Sequence, residues 1–124
     1  MKKVTGIGGI FFKCKDPNAI NEWYKTHLGF DTTPYGTSFN RLEKDADKEG
    51  ITQWNPFPED TTYFGPSDKD YMINYRVDNL ESLFKELKSQ GVVILDKIES
   101  YDYGKFLHIL DPEGNKIQLW QPSV

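Results

Sequence analysis

The sequence predicts an α+β fold: two βαβββ modules forming a half-open eight-stranded barrel, with the helices outside. Three observations carry this. The chain repeats itself: Gly9-Ile10-Phe11-Phe12-Lys13-Cys14 lies over Met72-Ile73-Asn74-Tyr75-Arg76-Val77, 63 positions further on. Each of these strands leads through a capped amphipathic helix to a glycine stop, Gly29 and Gly91. Each half then closes alike, with Trp54-Asn55-Pro56 and Trp120-Gln121-Pro122, 66 positions apart. Internal repetition is a strong architectural signal. A unit this small does not bury its sheet alone, so the two pair. Helices cover one face of the strands, and the other faces enclose a cavity. The 124 residues form a single domain, with module one at 1–66 and module two at 67–124.

The first module opens with a strand, Val4 to Lys15. Ile10, Phe12 and Cys14 share one face, and Gly9, Phe11 and Lys13 the other. Asp16-Pro17-Asn18 starts a helix, with Asp16 as N-cap and Pro17 at the first helical position. Ile20, Trp23, Tyr24 and His27/Leu28 form its apolar stripe, and Gly29 ends it. Phe30 to Thr33 and Thr37 to Leu42 are short strands around Pro34-Tyr35-Gly36. Glu43 to Gly50 is a charged, solvated connection. Ile51 to Asn55 is a further strand closed by Pro56 and Pro58, and Glu59 to Asp70 is an irregular loop.

The second module restarts with the strand Met72 to Val77. Ile73, Tyr75 and Val77 face one way; Met72, Asn74 and Arg76 face the other. Asp78 or Asn79 caps a helix carrying Leu80, Leu83, Phe84 and Leu87, with Glu81, Lys85 and Lys88 on its solvated side. Gly91 ends it, and Val92 to Ile98 is a strand. The chain finishes in a β-hairpin. Pro112 presets a type I turn within Asp111–Asn115, and Gly114 supplies the positive φ that closes it. Pairing Asp111 with Asn115 sets Ile109 opposite Ile117 and His108 opposite Gln118. One hairpin face is then purely apolar: Leu107, Ile109, Ile117 and Leu119. The other is mixed, with Phe106, His108, Gln118 and Trp120, the composition of a ligand cavity.

Composition narrows the function classes. A net charge of −4 and the lack of a Lys/Arg stripe argue against a nucleic-acid partner. The single cysteine, Cys14, excludes an intrachain disulfide framework and fits a reducing compartment. Met1-Lys2-Lys3 followed by Val4–Phe12 mimics a signal peptide, but three glycines break the run and no small-residue cleavage site follows. No membrane span is expected, and the expected location is cytoplasmic. Gly6, Gly8 and Gly9 lack phosphate-loop spacing.

Four motifs in order resemble one known family: Ile7-Gly8-Gly9-Ile10, then Trp23-Tyr24-Lys25-Thr26-His27-Leu28-Gly29-Phe30, then Tyr75-Arg76-Val77-Asp78-Asn79-Leu80, then Asp111-Pro112-Glu113-Gly114-Asn115-Lys116-Ile117-Gln118-Leu119. The chain resembles the vicinal oxygen chelate superfamily, the glyoxalase/bleomycin-resistance/extradiol-dioxygenase group. That resemblance implies a paired βαβββ fold and a homodimer. It also implies one divalent metal held by matching positions of the two units. Here those positions fall on Gly9, Met72, Gln118 and, through the Trp-x-Pro match, Thr52. Such a site wants imidazole or carboxylate, so no cofactor is expected and no metal ligand is assigned.

The candidate catalytic residues are His108, as general acid/base or hydrogen-bond donor, and Gln118 beside it. The alternatives are a strand histidine satisfied by a carbonyl and an amide pairing across strands. Phe11, Trp54, Met72, Asn74, Arg76, Phe106 and Trp120 are the candidate ligand contacts, with Arg76 suited to a carboxylate or phosphate or to an acidic neighbour at the rim. Two functions remain open. One is a glyoxalase-like lyase or isomerase acting on a small organic substrate. The other is a metal-free binding protein of the resistance type, sequestering an aromatic or cationic compound.

Overall fold

The structure is a computed structural model that describes residues 3–42 and 49–123, so most of the charged connection Glu43–Gly50 lies outside the described residues. The elements are β1 (Val4–Cys14), α1 (Pro17–Leu28), β2 (Thr37–Leu42), β3 (Glu49–Pro58), β4 (Tyr71–Val77), α2 (Leu80–Ser89), β5 (Glu99–Tyr101), β6 (Gly104–Leu110) and β7 (Lys116–Pro122). The described strands form one mixed, open sheet in the order β2-β3-β1-β4-β7-β6-β5. The repeat is plain in this order. β1 pairs parallel with β3, β4 pairs parallel with β7, and the two units join antiparallel through β1 and β4. No described helix is long and apolar enough to cross a membrane.

The caps are where the sequence put them. Asp16 Oδ1 accepts from Ala19 N at 3.1 Å, and Asn79 Oδ1 accepts from Ser82 N at 3.0 Å, each satisfying an orphan helix donor. Gly29 follows α1 at φ 74° and Gly91 follows α2 at φ 77°, a conformation that costs glycine no Cβ clash. α2 lays Leu80 and Leu83 on Val77, Leu107, Ile109 and Leu119, all buried. This is the main core. α1 is held differently, by an aromatic cluster of Tyr24, Phe30, Phe12 and Trp54 on the same side of the sheet.

Seven strands are present among the described residues where eight were expected. Phe30–Thr33 contributes one isolated bridge, Thr33 to Gly36. Val92–Ile98 also falls short of a strand. It runs beside β6 through Leu110 N to Val93 O at 3.0 Å and Leu95 N to His108 O at 2.9 Å. The ladder then breaks because the Asp96 carboxylate turns in and accepts His108 N itself, at 2.8 Å. Pairing resumes at β5, three residues on.

β3 runs past the expected end at Asn55 to Pro58. The β2 pairing stops at Trp54, so Pro56 and Pro58 lie on a free edge where their missing N–H costs no ladder bond. The closing turn is as read: Asp111 N donates to Asn115 O at 3.0 Å, and the Asp111 carboxylate accepts from Glu113 N and from both nitrogens of Asn115, each at 2.9 Å.

Candidate active site

The concave face of the sheet, opposite the helices, forms a cavity of about 630 Å³. Its chemistry is concentrated on one line across three adjacent strands. The register pairs Asn74 with Gln118 and Gln118 with His108, so all three side chains stand on the same face. They are 2%, 4% and 8% exposed respectively, and buried polar groups require partners. Asn74 Nδ2 donates to Gln118 Oε1. Gln118 Nε2 then donates to the Tyr63 hydroxyl at 2.7 Å and lies 3.0 Å from His108 Nε2. Tyr63 comes from the loop between β3 and β4, and its hydroxyl is 3.2 Å from the same His108 nitrogen.

The other side of the imidazole is fixed by Asp96. Its Oδ2 lies 2.7 Å from His108 Nδ1, and its Oδ1 accepts from His108 N. A carboxylate at that distance takes the Nδ1 proton as its hydrogen-bond partner. The tautomer follows: Nδ1 carries hydrogen and Nε2 presents its lone pair to the cavity. That is the arrangement of a general base held by an orienting carboxylate. Burial raises the Tyr63 phenol above its ordinary value, a shift partly offset by the Gln118 hydrogen bond and reinforced by the charge of Asp96. Burial also lowers the ammonium of Lys116. That ammonium lies 2.5 Å from the Tyr63 carbonyl oxygen and 5.1 Å from its ring centroid.

Around this line the walls are aromatic. Phe106 and Trp120 pair across β6 and β7 with parallel rings, centroids 6.1 Å apart. Tyr101 and Tyr103 stack beside them at 5.4 Å. Phe11 and Phe57 complete the cavity on the other side. Gln53 and Asn55 also line a smaller polar hollow of about 330 Å³ over β2 and β3.

Of the sequence-predicted residues, His108, Gln118, Asn74, Phe11, Phe106 and Trp120 come together in the cavity. Trp54 does not. It faces α1, packed against Tyr24 at a ring distance of 4.7 Å, and Gln53 and Asn55 take the cavity face instead. The reason is register. Phe11, which the repeat sets over Asn74, pairs with Asn55, as Asn74 pairs with Gln118, so the counterpart of Gln118 is Asn55 and not Thr52. A shift of one residue turns every side chain of a strand to the other face.

Met72 is fully buried beneath the cavity with Phe11 and Phe64. Arg76 is buried as well, spread over the bare backbone of Gly6 and Gly8, and does not line the cavity. A Cβ on Gly8 would fall against Asn74 Oδ1 and within 3.0 Å of Trp120 Cε3. Gly8→Ala is therefore expected to destabilise the fold by about 1–3 kcal/mol, read as a lower urea midpoint at unchanged slope.

The sequence reading missed Tyr63, Asp96 and Lys116. A signal existed for two of them. Lys116 shares the alternation of Gln118 and Trp120, and Asp96 is an acid inside an otherwise apolar run. Tyr63, on an irregular loop, had none.

A family model described as the Glyoxalase/Bleomycin resistance protein/Dioxygenase superfamily matches residues 6–119. No curated protein matches the chain. Among solved structures, a variant of methylmalonyl-CoA epimerase from Streptomyces coelicolor, in complex with 2-nitronate-propionyl-CoA, superposes with TM-score 0.68 at 15% identity. That match covers 98% of this chain and 99% of the other. Methylmalonyl-CoA epimerase from Mycobacterium tuberculosis gives 0.63 at 17% identity, covering 100% and 92%. A superfamily member from Vibrio splendidus 12B01 gives 0.59 at 17%, covering 93% and 97%. At these identities the likeness is one of fold.

Proposed function

We propose, because this chain belongs to the glyoxalase/bleomycin resistance protein/dioxygenase superfamily, that it is a proton-transfer enzyme of the isomerase or lyase type, acting on a small organic substrate in the concave cavity. The observation that carries the reading is the Asp96–His108 pair, with Nδ1 held at 2.7 Å and Nε2 on the cavity side, where the Gln118 amide and the Tyr63 hydroxyl face it. A positioned imidazole base contributes roughly 10²- to 10⁴-fold to such a step. Gln118 and Asn74 hold the base and its neighbours in place, and the aromatic walls take the apolar part of the substrate. Methylmalonyl-CoA epimerases are among the structural neighbours, which agrees with an isomerase-type reaction.

The superfamily's usual divalent metal does not fit the residues at its positions here. Gly9 offers no side-chain donor. Met72 is closed off under Phe11 and Phe64. Thr52 gives its hydroxyl hydrogen to Ile7 O at 2.9 Å, and the Gln118 amide is bonded on both ends. Among the described residues no three His, Cys, Asp or Glu side chains converge. The reading therefore routes no step through a metal.

A second reading, sequestration of an aromatic compound without chemistry, draws support from the two stacked pairs Tyr101–Tyr103 and Phe106–Trp120. The superfamily's homodimer belongs to the same proposal; Ile7, Ile10 and Trp23 are each exposed to more than 40% outside the cavity.

Deuterium wash-in separates the two functions. The protein is incubated in D₂O with a panel of aldehydes, ketones and thioesters, and exchange at the carbon next to the carbonyl is followed by NMR. Enzyme-dependent exchange that His108→Ala abolishes is the expected result. Ligand binding without exchange on any panel member favours sequestration.

A further inference from the structure

We propose that Tyr63 is the electrophile of this site: its phenolic O–H donates to the substrate oxygen on which negative charge develops when His108 removes a carbon-bound proton. The inference rests on the acid–base reading above and adds the group that proton abstraction beside a carbonyl requires.

The direction of the hydrogen bonds carries it. Gln118 Oε1 accepts from Asn74, which fixes the amide and turns its nitrogen toward the loop. One Nε2 hydrogen goes to the Tyr63 oxygen at 2.7 Å, and the other faces His108 Nε2 at 3.0 Å. Tyr63 is thus an acceptor toward the protein, and its own hydrogen has two directions left, His108 Nε2 at 3.2 Å or the cavity. A substrate C–H seated at Nε2 takes the single lone pair that the Gln118 N–H otherwise faces, and it leaves the Tyr63 hydrogen only the cavity. Asn74, Gln118 and Tyr63 then form a chain in which every donor points the same way. Each bond polarises the next, ending in an O–H aimed at the ligand.

The position is built in advance of the reaction, as electrostatic stabilisation requires. The Tyr63 ring stacks on Phe57, centroids 5.7 Å apart with planes 4° from parallel. Lys116 grips its carbonyl at 2.5 Å. Its neighbour Phe64 is fully buried against Phe57. The raised phenol described above stays protonated through the neutral range and so remains a donor.

The step balances. The C–H bond breaks and its proton passes to His108 Nε2. The electron pair forms the carbon–carbon double bond, and the carbonyl π pair moves to oxygen, where the Tyr63 hydrogen bond holds it. Return of the proton from Nε2 to that carbon or an adjacent one regenerates the imidazole. Asp96 keeps Nδ1 throughout.

4-Nitrophenol is the probe, because its phenolate imitates the enolate oxygen and its ionisation is visible by absorbance. The wild-type chain is expected to bind the phenolate in preference to the phenol. Tyr63→Phe, which keeps the ring stack, is expected to weaken phenolate binding by about 10- to 100-fold, with an unchanged circular dichroism spectrum. A wild-type chain with no preference for the phenolate, or a Tyr63→Phe chain that binds it equally well, overturns the proposal. Deuterium exchange keeps the two readings apart. Exchange that persists at the wild-type rate in Tyr63→Phe overturns the role of Tyr63 and leaves His108 standing. Tyr63-dependent phenolate binding with no exchange on any substrate overturns the base and leaves the donor.

Discussion

Asp96→Asn is expected to lower deuterium exchange by about 10²- to 10⁴-fold while leaving the fold in place. The two oxygens of Asp96 have separate tasks. Oδ1 accepts the His108 backbone N–H at 2.8 Å, and asparagine retains an oxygen for that bond. Oδ2 faces Nδ1 at 2.7 Å, and there asparagine brings an NH₂. Two donors do not face each other, so the ring moves its hydrogen to Nε2 and accepts from the amide at Nδ1. The lone pair that faced the cavity is gone. The activity falls without any change in cavity shape, so affinity for a neutral aromatic ligand stays the same. The check is a pair of measurements, exchange rate and equilibrium binding. Parallel loss of both would mean that Asp96 shapes the cavity and does not set the tautomer.

Leu107→Ala is the largest expected effect on stability. Leu107 is fully buried and pairs across the hairpin with Leu119. It stands in the cluster under α2 with Val77, Leu80 and Leu83. Removing its methyl groups forfeits their burial and leaves a space that the two strands do not close, a loss of about 2–5 kcal/mol. Domains of this size are stable by roughly 5–15 kcal/mol, so the variant is expected to be largely folded at 25 °C and unfolded by modest heating. Urea denaturation measures it, and a loss under about 1 kcal/mol would contradict the packing described.

Both expectations rest on the closing hairpin, which was the most legible part of the sequence. Period-two alternation on both arms, with a turn of fixed chemistry, determined which side chains share a face. Leu107 and Ile109 went to the core, and Phe106 and His108 to the cavity. The capped helices were legible for a similar reason, since a cap is local chemistry.

What failed to read was non-local. Trp54 shares a Trp-x-Pro closing motif with Trp120 but not its face of the sheet. The pairing of β3 against β1, which sets Trp54 opposite Ile10 and Asn55 opposite Phe11, decides its face instead. Asp96 looked like a strand residue because its apolar neighbours Val92, Val93 and Ile94 do. Only the approach of His108 shows that the acid ends the ladder. Arg76 offered a charge to a ligand on paper, but the glycines of β1 leave space that its side chain fills. Tyr63 lies on a segment with no period at all, so nothing in the chain's order announces it.

The turn Asp111–Asn115 has a consequence for how the protein can change over time. His108 and Gln118, Phe106 and Trp120, Leu107 and Leu119 are all cross-strand pairs measured from that turn. Gaining or losing one residue there would exchange the two faces, sending His108 toward α2 and Leu107 into the cavity. Core and site would be lost together. Substitutions along β6 and β7 can be accepted one at a time, but the length of the turn is fixed. The loop 59–70 is under no such constraint along most of its course. New specificities are therefore expected to arise by insertion there, beside Tyr63, and by substitution alone in the hairpin.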